Sequence, residues 1–173
     1  NNAYCQDNAT SWVDWANTNT ELQKFCSDLT HLRRHHPIFR RRRWFEGVPV
    51  GSSALSDIGW FKPDGGLMSE ADWNVPFARA LGVFLNGDAI TAPGPRGEAV
   101  TDSSFYLFFN AGSDPVTYVI PHELVEPAWE PVLDTALGFI TGGTPCASGV
   151  SIEIAPHSLQ LHRRAAPVAG SAG

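Results

Sequence analysis

The first eight residues crowd hydrogen-bonding side chains into one short stretch: Asn1, Asn2, Tyr4, Gln6, Asp7 and Asn8. The amides donate and accept, a carboxylate accepts from two donors at once, and a tyrosine ring adds an apolar face with a hydroxyl at its edge. Such a set suits a binding loop. The alternative is a loop whose amides satisfy its own turns. Residue types alone favour that second reading. Trp12 and Trp15 follow closely.

Other groups with chemical potential are weaker. His31 and His35 stand four apart, a spacing that chelates metal on a helix. Arg33 and Arg34 lie between them and no Glu accompanies them, so a solvated helix end is the expectation, with no metal and no cofactor. Arg40 to Arg43 run into Trp44 and Phe45, a pattern met in nucleic-acid patches. The chain carries a net charge of −6, so a solvated or ion-paired connector is expected and nucleic acid is not a partner. Cys5 has no neighbouring His or cation to lower its pKa. Asp134-Thr135 reads as a turn or strand-end hydrogen bond. Asn8-Ala9-Thr10 fits a glycosylation acceptor, a pattern short enough to arise by chance. Of six tryptophans, Trp60 and Trp129 are expected in the core or between domains, and Trp12 and Trp15 against a neighbouring domain.

The elements that must hold these groups follow from periodicity. Residues 1–19 carry no period and read as loop. Leu22, Phe25, Leu29 and Leu32 recur at helical spacing, and Pro37 ends the run, which predicts a helix over 20–36. Thr20 and Gln23 fit a capping box for its start. Ile58 and Trp60 before Pro63-Asp64-Gly65-Gly66 predict a strand and turn, and Ser69 with Asp72 a capped turn near Trp73. ALGVFLN (80–86) reads as a buried strand. FYLFFN (105–110) and VTYVIP (116–121) read as two strands of a hairpin, and 129–133 as another strand. Val150, Ile152 and Ile154, then Leu159 and Leu161, alternate with polar residues on either side of Pro156. Short strands between turn clusters indicate an antiparallel sandwich over about 46–164. The small residues of 165–173 are expected to be a disordered tail. Three scattered cysteines make a poor disulfide framework and favour a reducing compartment, the cytoplasm. No run has the apolar length of a membrane span.

NNAYCQDNATSWVDW (1–15) followed by ELQKFCSDLTHLRRHHPIFRRRRWFEG (21–47) resembles the C-terminal part of bacterial glycogen debranching enzymes, isoamylase-like members of the alpha-amylase superfamily. DIGWFKPDGGLMSEADW (57–73) and WEPVLDTA (129–136) fit the same pattern, so the likeness extends over residues 1–164. The resemblance implies a (β/α) barrel followed by an antiparallel β-sandwich, and hydrolysis of α-1,6 branch linkages in glycogen and related dextrins with retention of configuration. It implies that 1–45 are the last loop and helix of the barrel, that 46–164 are the sandwich, and that the chain starts inside a longer enzyme.

Retaining hydrolysis needs two carboxyl groups about 5 Å apart. In the resembled family both precede this segment, and a barrel of about 250 residues cannot fit here beside a sandwich. The chain alone is therefore expected to have no debranching activity and no catalytic residue. What the resemblance does assign is a substrate loop: Asn2, Tyr4, Gln6, Asp7 and Asn8 facing the α-glucan in the full-length enzyme. A stand-alone carbohydrate-binding or protein-interaction module is the other reading. It predicts a self-sufficient monomer that melts cooperatively, whereas a piece of an enzyme should expose the apolar face of 22–32 or cover it by self-association.

Overall fold

Three strands are apolar on both faces, and that decides the architecture. The computed structural model describes residues 3–49, 55–124 and 128–164; Asn1, Asn2 and the expected tail lie outside them. β1 (Ile58–Phe61), β2 (Ala80–Leu85), β3 (Phe105–Asn110), β4 (Val116–Val119), β5 (Trp129–Asp134), β6 (Gly138–Phe139), β7 (Ser151–Ile154) and β8 (Ser158–Arg164) form two antiparallel sheets. The larger has the order β1-β2-β3-β8-β5-β6, and β4 pairs with β7 in the smaller. Successive side chains of a strand point to opposite faces. One face of the large sheet therefore carries Phe84, Tyr106, Phe108 and Trp129, which meet Tyr118 and Ile154 of the small sheet in the main core. The other face carries Val83, Leu85, Phe105, Leu133 and Leu161, with Leu81, Leu107 and Leu159 beside them.

That second face is covered by α1 (Thr20–His35) and the 3₁₀ turn Pro37–Arg40. Phe25, Leu29, Leu32 and Phe39 pack on it, and Ile38 is buried within it. Phe25 meets Phe139 at 5.7 Å between ring centroids, and Phe39 meets Phe105 at 4.6 Å. Full burial of a side chain such as Ile38 contributes about 2 kcal/mol. Leu22, on the same stripe, stays exposed. The helix starts one residue before the expected box. Asn19 is the cap, its side chain accepting from Leu22 N at 2.9 Å. Asn is a stronger cap than Thr, and the earlier position takes the free N–H. The helix ends where Asp102 accepts from Ile38 N and lies 2.8 Å from His36 Nδ1.

The hairpin expected between 105–110 and 116–121 does not form. β3 sits between β2 and β8, and β4 crosses to pair with β7. Asn110 holds the crossing point. Its Nδ2 donates to Asp114 O, Ile154 O and Ala155 O, and its Oδ1 accepts from Gly112 N. The β7–β8 corner is tied to the same loop by His157 N donating to Gly112 O. Both strands that switch sheets thus share one polar staple, as sandwich corners require. Two glycines are needed for close approach. A Cβ at Gly82 would lie 2.5 Å from the Tyr106 hydroxyl, and one at Gly87 would lie 2.1 Å from Asp102 O.

Candidate functional site

The opening loop is built from local hydrogen bonds. Ala3, Tyr4 and Cys5 all take positive φ (46°, 56° and 56°), a left-handed run that is costly for residues with a Cβ. Gln6 Nε2 donates to Tyr4 O at 3.2 Å, and Ser11 Oγ donates to Gln6 O and Asn8 O. Asn8 Oδ1 accepts from Thr10 N at 3.0 Å. Asp7 Oδ1 accepts from the Trp12 indole N–H at 2.6 Å. Asp14 then caps the turn Trp15–Asn17. The Asn17 amide, followed by the backbone N–H groups of Asn17 and Ala16, holds the Asp14 carboxyl below its ordinary value.

The five sequence-derived site residues therefore part company. Gln6, Asp7 and Asn8 are engaged in the loop's own turns while remaining at the surface. Tyr4 presents its side chain to solvent at 88% exposure. Asn2 lies outside the described residues. Sequence reasoning missed Trp12 as the group that fixes the Asp7 carboxylate. A tryptophan five residues from an aspartate in a loop has no period to reveal it. Trp12 and Trp15 stay 65% and 72% exposed.

The carboxylates deepest in the protein all face structural partners. Asp57 accepts from Arg41, Glu46 N and Gly47 N; Asp102 holds the end of α1; Asp134 accepts from Ala136 N and Gln160 Nε2. Among the described residues no group of three His, Cys, Asp or Glu side chains is arranged to hold a metal ion. His31 and His35 stack at 3.9 Å on the exposed helix, with His35 Nδ1 2.8 Å from His31 O. No described helix is long and apolar enough to cross a membrane. The basic connector is ion-paired at Arg41 and solvated at Arg42 and Arg43.

A groove of about 450 Å³ opens between α1 and the large sheet, lined by Leu29, Leu32, Phe39, Leu107, Leu133 and Leu159. It continues the apolar stripe that Leu22 begins. Trp129 is buried as expected, but Trp60 is not in the core. It lies on the edge strand β1, its ring edge-on to Trp73.

The fold and these residues can be compared with known proteins. A family model described as "Isoamylase, C-terminal" matches residues 57–151, more than half of the chain. A "Glycogen operon protein GlgX homolog" of Mycobacterium tuberculosis is 48% identical over 138 residues, covering 78% of this chain and 19% of its own length. A "Glycogen debranching enzyme" of Escherichia fergusonii is 37% identical over 73 residues, 42% of this chain and 10% of that protein. The chain thus spans a fifth or less of the length of these relatives. The crystal structure of pullulanase type I from Bacillus subtilis, complexed with maltose, superposes over 88% of this chain and 17% of its own. The TM-score is 0.53 at 15% sequence identity, which shows a shared fold. By the extent of the family match, the chain belongs to the isoamylase C-terminal family.

Proposed function

We propose that this chain is the C-terminal portion of a glycogen debranching enzyme that hydrolyses α-1,6-glucosidic branch linkages in glycogen and related dextrins, acting in the cytoplasm. The observation that carries the reading is the family match joined to the packing of α1. A helix outside the matched region seats three apolar side chains on the outer face of the large sheet and leaves an apolar groove beside it. Residues 1–45 would complete a catalytic barrel, and 46–164 would brace it. The names of the relatives support the substrate class. The reading as a self-sufficient binding module accounts for α1 as the cover of the large sheet but gives the opening loop no task.

In the joined enzyme the chemistry comes from carboxylates of the preceding barrel, and this chain contributes the loop. Tyr4 offers its ring to a glucose unit. Asp7, oriented by Trp12, accepts from sugar hydroxyls, and Asn2, Gln6 and Asn8 add donors and acceptors at the rim. The loop holds its own shape before substrate arrives, so little ordering entropy is lost on binding.

The gene upstream of the Asn1 codon tests the assignment. An open frame encoding a barrel with its acidic pair supports it; a start codon directly before Asn1 ends it. Within the joined enzyme, Tyr4→Ala should lower kcat/KM on a branched dextrin about tenfold through KM, the size of one lost ring contact. Unchanged kinetics would remove the loop from the sugar pocket.

A further inference from the structure

The segment from Trp60 to Trp73 builds a second exposed aromatic pair. Trp60 is 38% exposed on β1, the edge strand of the large sheet, and Trp73 is 52% exposed at the end of α2 (Glu70–Trp73). Their centroids are 5.5 Å apart and their planes meet at 76°. Two large rings left partly in water on a surface otherwise able to bury tryptophan mark a contact site. The backbone that carries the rings is fixed. Ser69 and Asp72 form a reciprocal capping box, with Ser69 N donating to Asp72 Oδ2 at 2.9 Å and Asp72 N to Ser69 Oγ at 3.3 Å. Asn74 Nδ2 donates to Glu70 O and closes the other end of the turn. Met68 N donates to Trp60 O, fixing the returning chain against the strand.

The same segment lines a hollow of about 330 Å³, in which Lys62, Asp64 and Asp72 stand among apolar side chains that include Pro63, Met68 and Val75. Lys62 and Asp64 are paired at 3.5 Å. A pair of indoles near a lining that mixes one cation and two carboxylates with apolar side chains suits an amphipathic partner. It matches a sugar chain, in which each ring has an apolar C–H face and a rim of hydroxyls. The angle between the indoles discriminates further. A β-1,4-glucan is a flat ribbon and needs coplanar rings. An α-1,4-glucan coils, so successive glucose faces turn relative to one another, as these two indole planes do.

We propose that Trp60 and Trp73 form a non-catalytic binding site for linear α-1,4-glucan chains on the sandwich. The choice of glucan rests on the debranching reading; the presence of a sugar site rests on the rings. Such a site would hold an outer chain of a branched polymer while a branch point is cleaved elsewhere.

The test is titration of the ¹⁵N-labelled chain with maltoheptaose and, separately, with cellohexaose, reading the indole N–H signals. The expected result is saturable shifts of the Trp60 and Trp73 signals with maltoheptaose alone. Trp73→Ala should weaken that binding about tenfold while the remaining spectrum stays dispersed. Trp60→Phe, which keeps a ring, should weaken it less. No shift at either indole overturns the proposal, as do equal shifts with both glucans or shifts confined to Trp12 and Trp15. None of these failures touches the debranching reading, which is judged by hydrolysis in the joined enzyme. Absence of that hydrolysis beside intact Trp60 and Trp73 shifts would sink the debranching reading and sustain this site.

Discussion

Replacing Asp57 by alanine should cost about 4 kcal/mol of stability and lower the thermal midpoint by roughly 10 °C. Asp57 is 1% exposed and its carboxylate accepts three hydrogen bonds: Arg41 Nη1 at 3.0 Å, Glu46 N at 3.0 Å and Gly47 N at 2.9 Å. The Arg41 side chain is itself only 4% exposed, and its guanidinium sits 4.1 Å over the Phe45 ring. Alanine leaves that cation buried without its anion and strips two backbone N–H groups of their acceptor. Removing one partner of a buried pair is far more harmful than removing both. The double variant Arg41→Met with Asp57→Ala should therefore recover part of the loss, a non-additivity that urea denaturation of the single and double variants measures. Equal or greater loss in the double variant would show that the pair is not the source. The pair also joins the connector after α1 to the strand that opens the sandwich. Its loss should make α1 amides exchange faster than those of β3.

Acidification should destabilise the protein through His162. Its ring is 2% exposed, edge-on to Phe108, with Nε2 3.1 Å from Gln160 Oε1 and Nδ1 3.8 Å from Cys146 Sγ. Burial pushes its pKa down from 6.5 to about 4, the Asp134 carboxylate opposing only part of that effect. The same burial raises the Cys146 thiol. The folded state thus keeps His162 neutral where the unfolded chain takes up a proton. Because the folded pKa is the lower one, the stability is present above the unfolded value near 6.5. It is lost as pH falls toward 4. The gap corresponds to about 3 kcal/mol. His162→Gln cannot take up that proton. The carboxylates titrate equally in both proteins, so the difference between them isolates the histidine. That difference should shrink by about 3 kcal/mol between about pH 7.5 and about pH 4 in urea titrations. A difference that stays constant with pH would contradict the assignment.

What could be read from the chain and what could not have separate physical causes. The helix was legible because Phe25, Leu29 and Leu32 keep one unbroken period that Pro37 ends. The strands were legible because period-two alternation at 150–161 and continuous apolar runs at 80–86 and 105–110 have few other outcomes. Partnership was not. The Ala-Gly-Ser-Asp-Pro loop is a generic turn sequence. Its passage between sheets depends on Asn110 reaching carbonyls 44 and 45 residues away. The capping box at Ser69 and Asp72 followed from residue types at a fixed offset, and it forms. The one at Thr20 did not, because Asn19 competed for the same N–H groups. In the opening loop the residue types carried the binding chemistry. The Asp7–Trp12 contact and the left-handed run at Ala3–Cys5 set how those types are displayed, and neither has a sequence signature.

The proposed reading divides labour: residues 57–151 match the isoamylase C-terminal family, and the acid pair that would cleave the linkage is assigned to a segment upstream. The most direct measurement is reducing-end release from a branched α-1,6-linked dextrin, by the purified chain and by the chain joined to its upstream segment. The account predicts no release above background from the chain alone and full α-1,6 hydrolysis from the joined protein. Reducing ends released by the isolated chain, or none released by the joined protein, would contradict it.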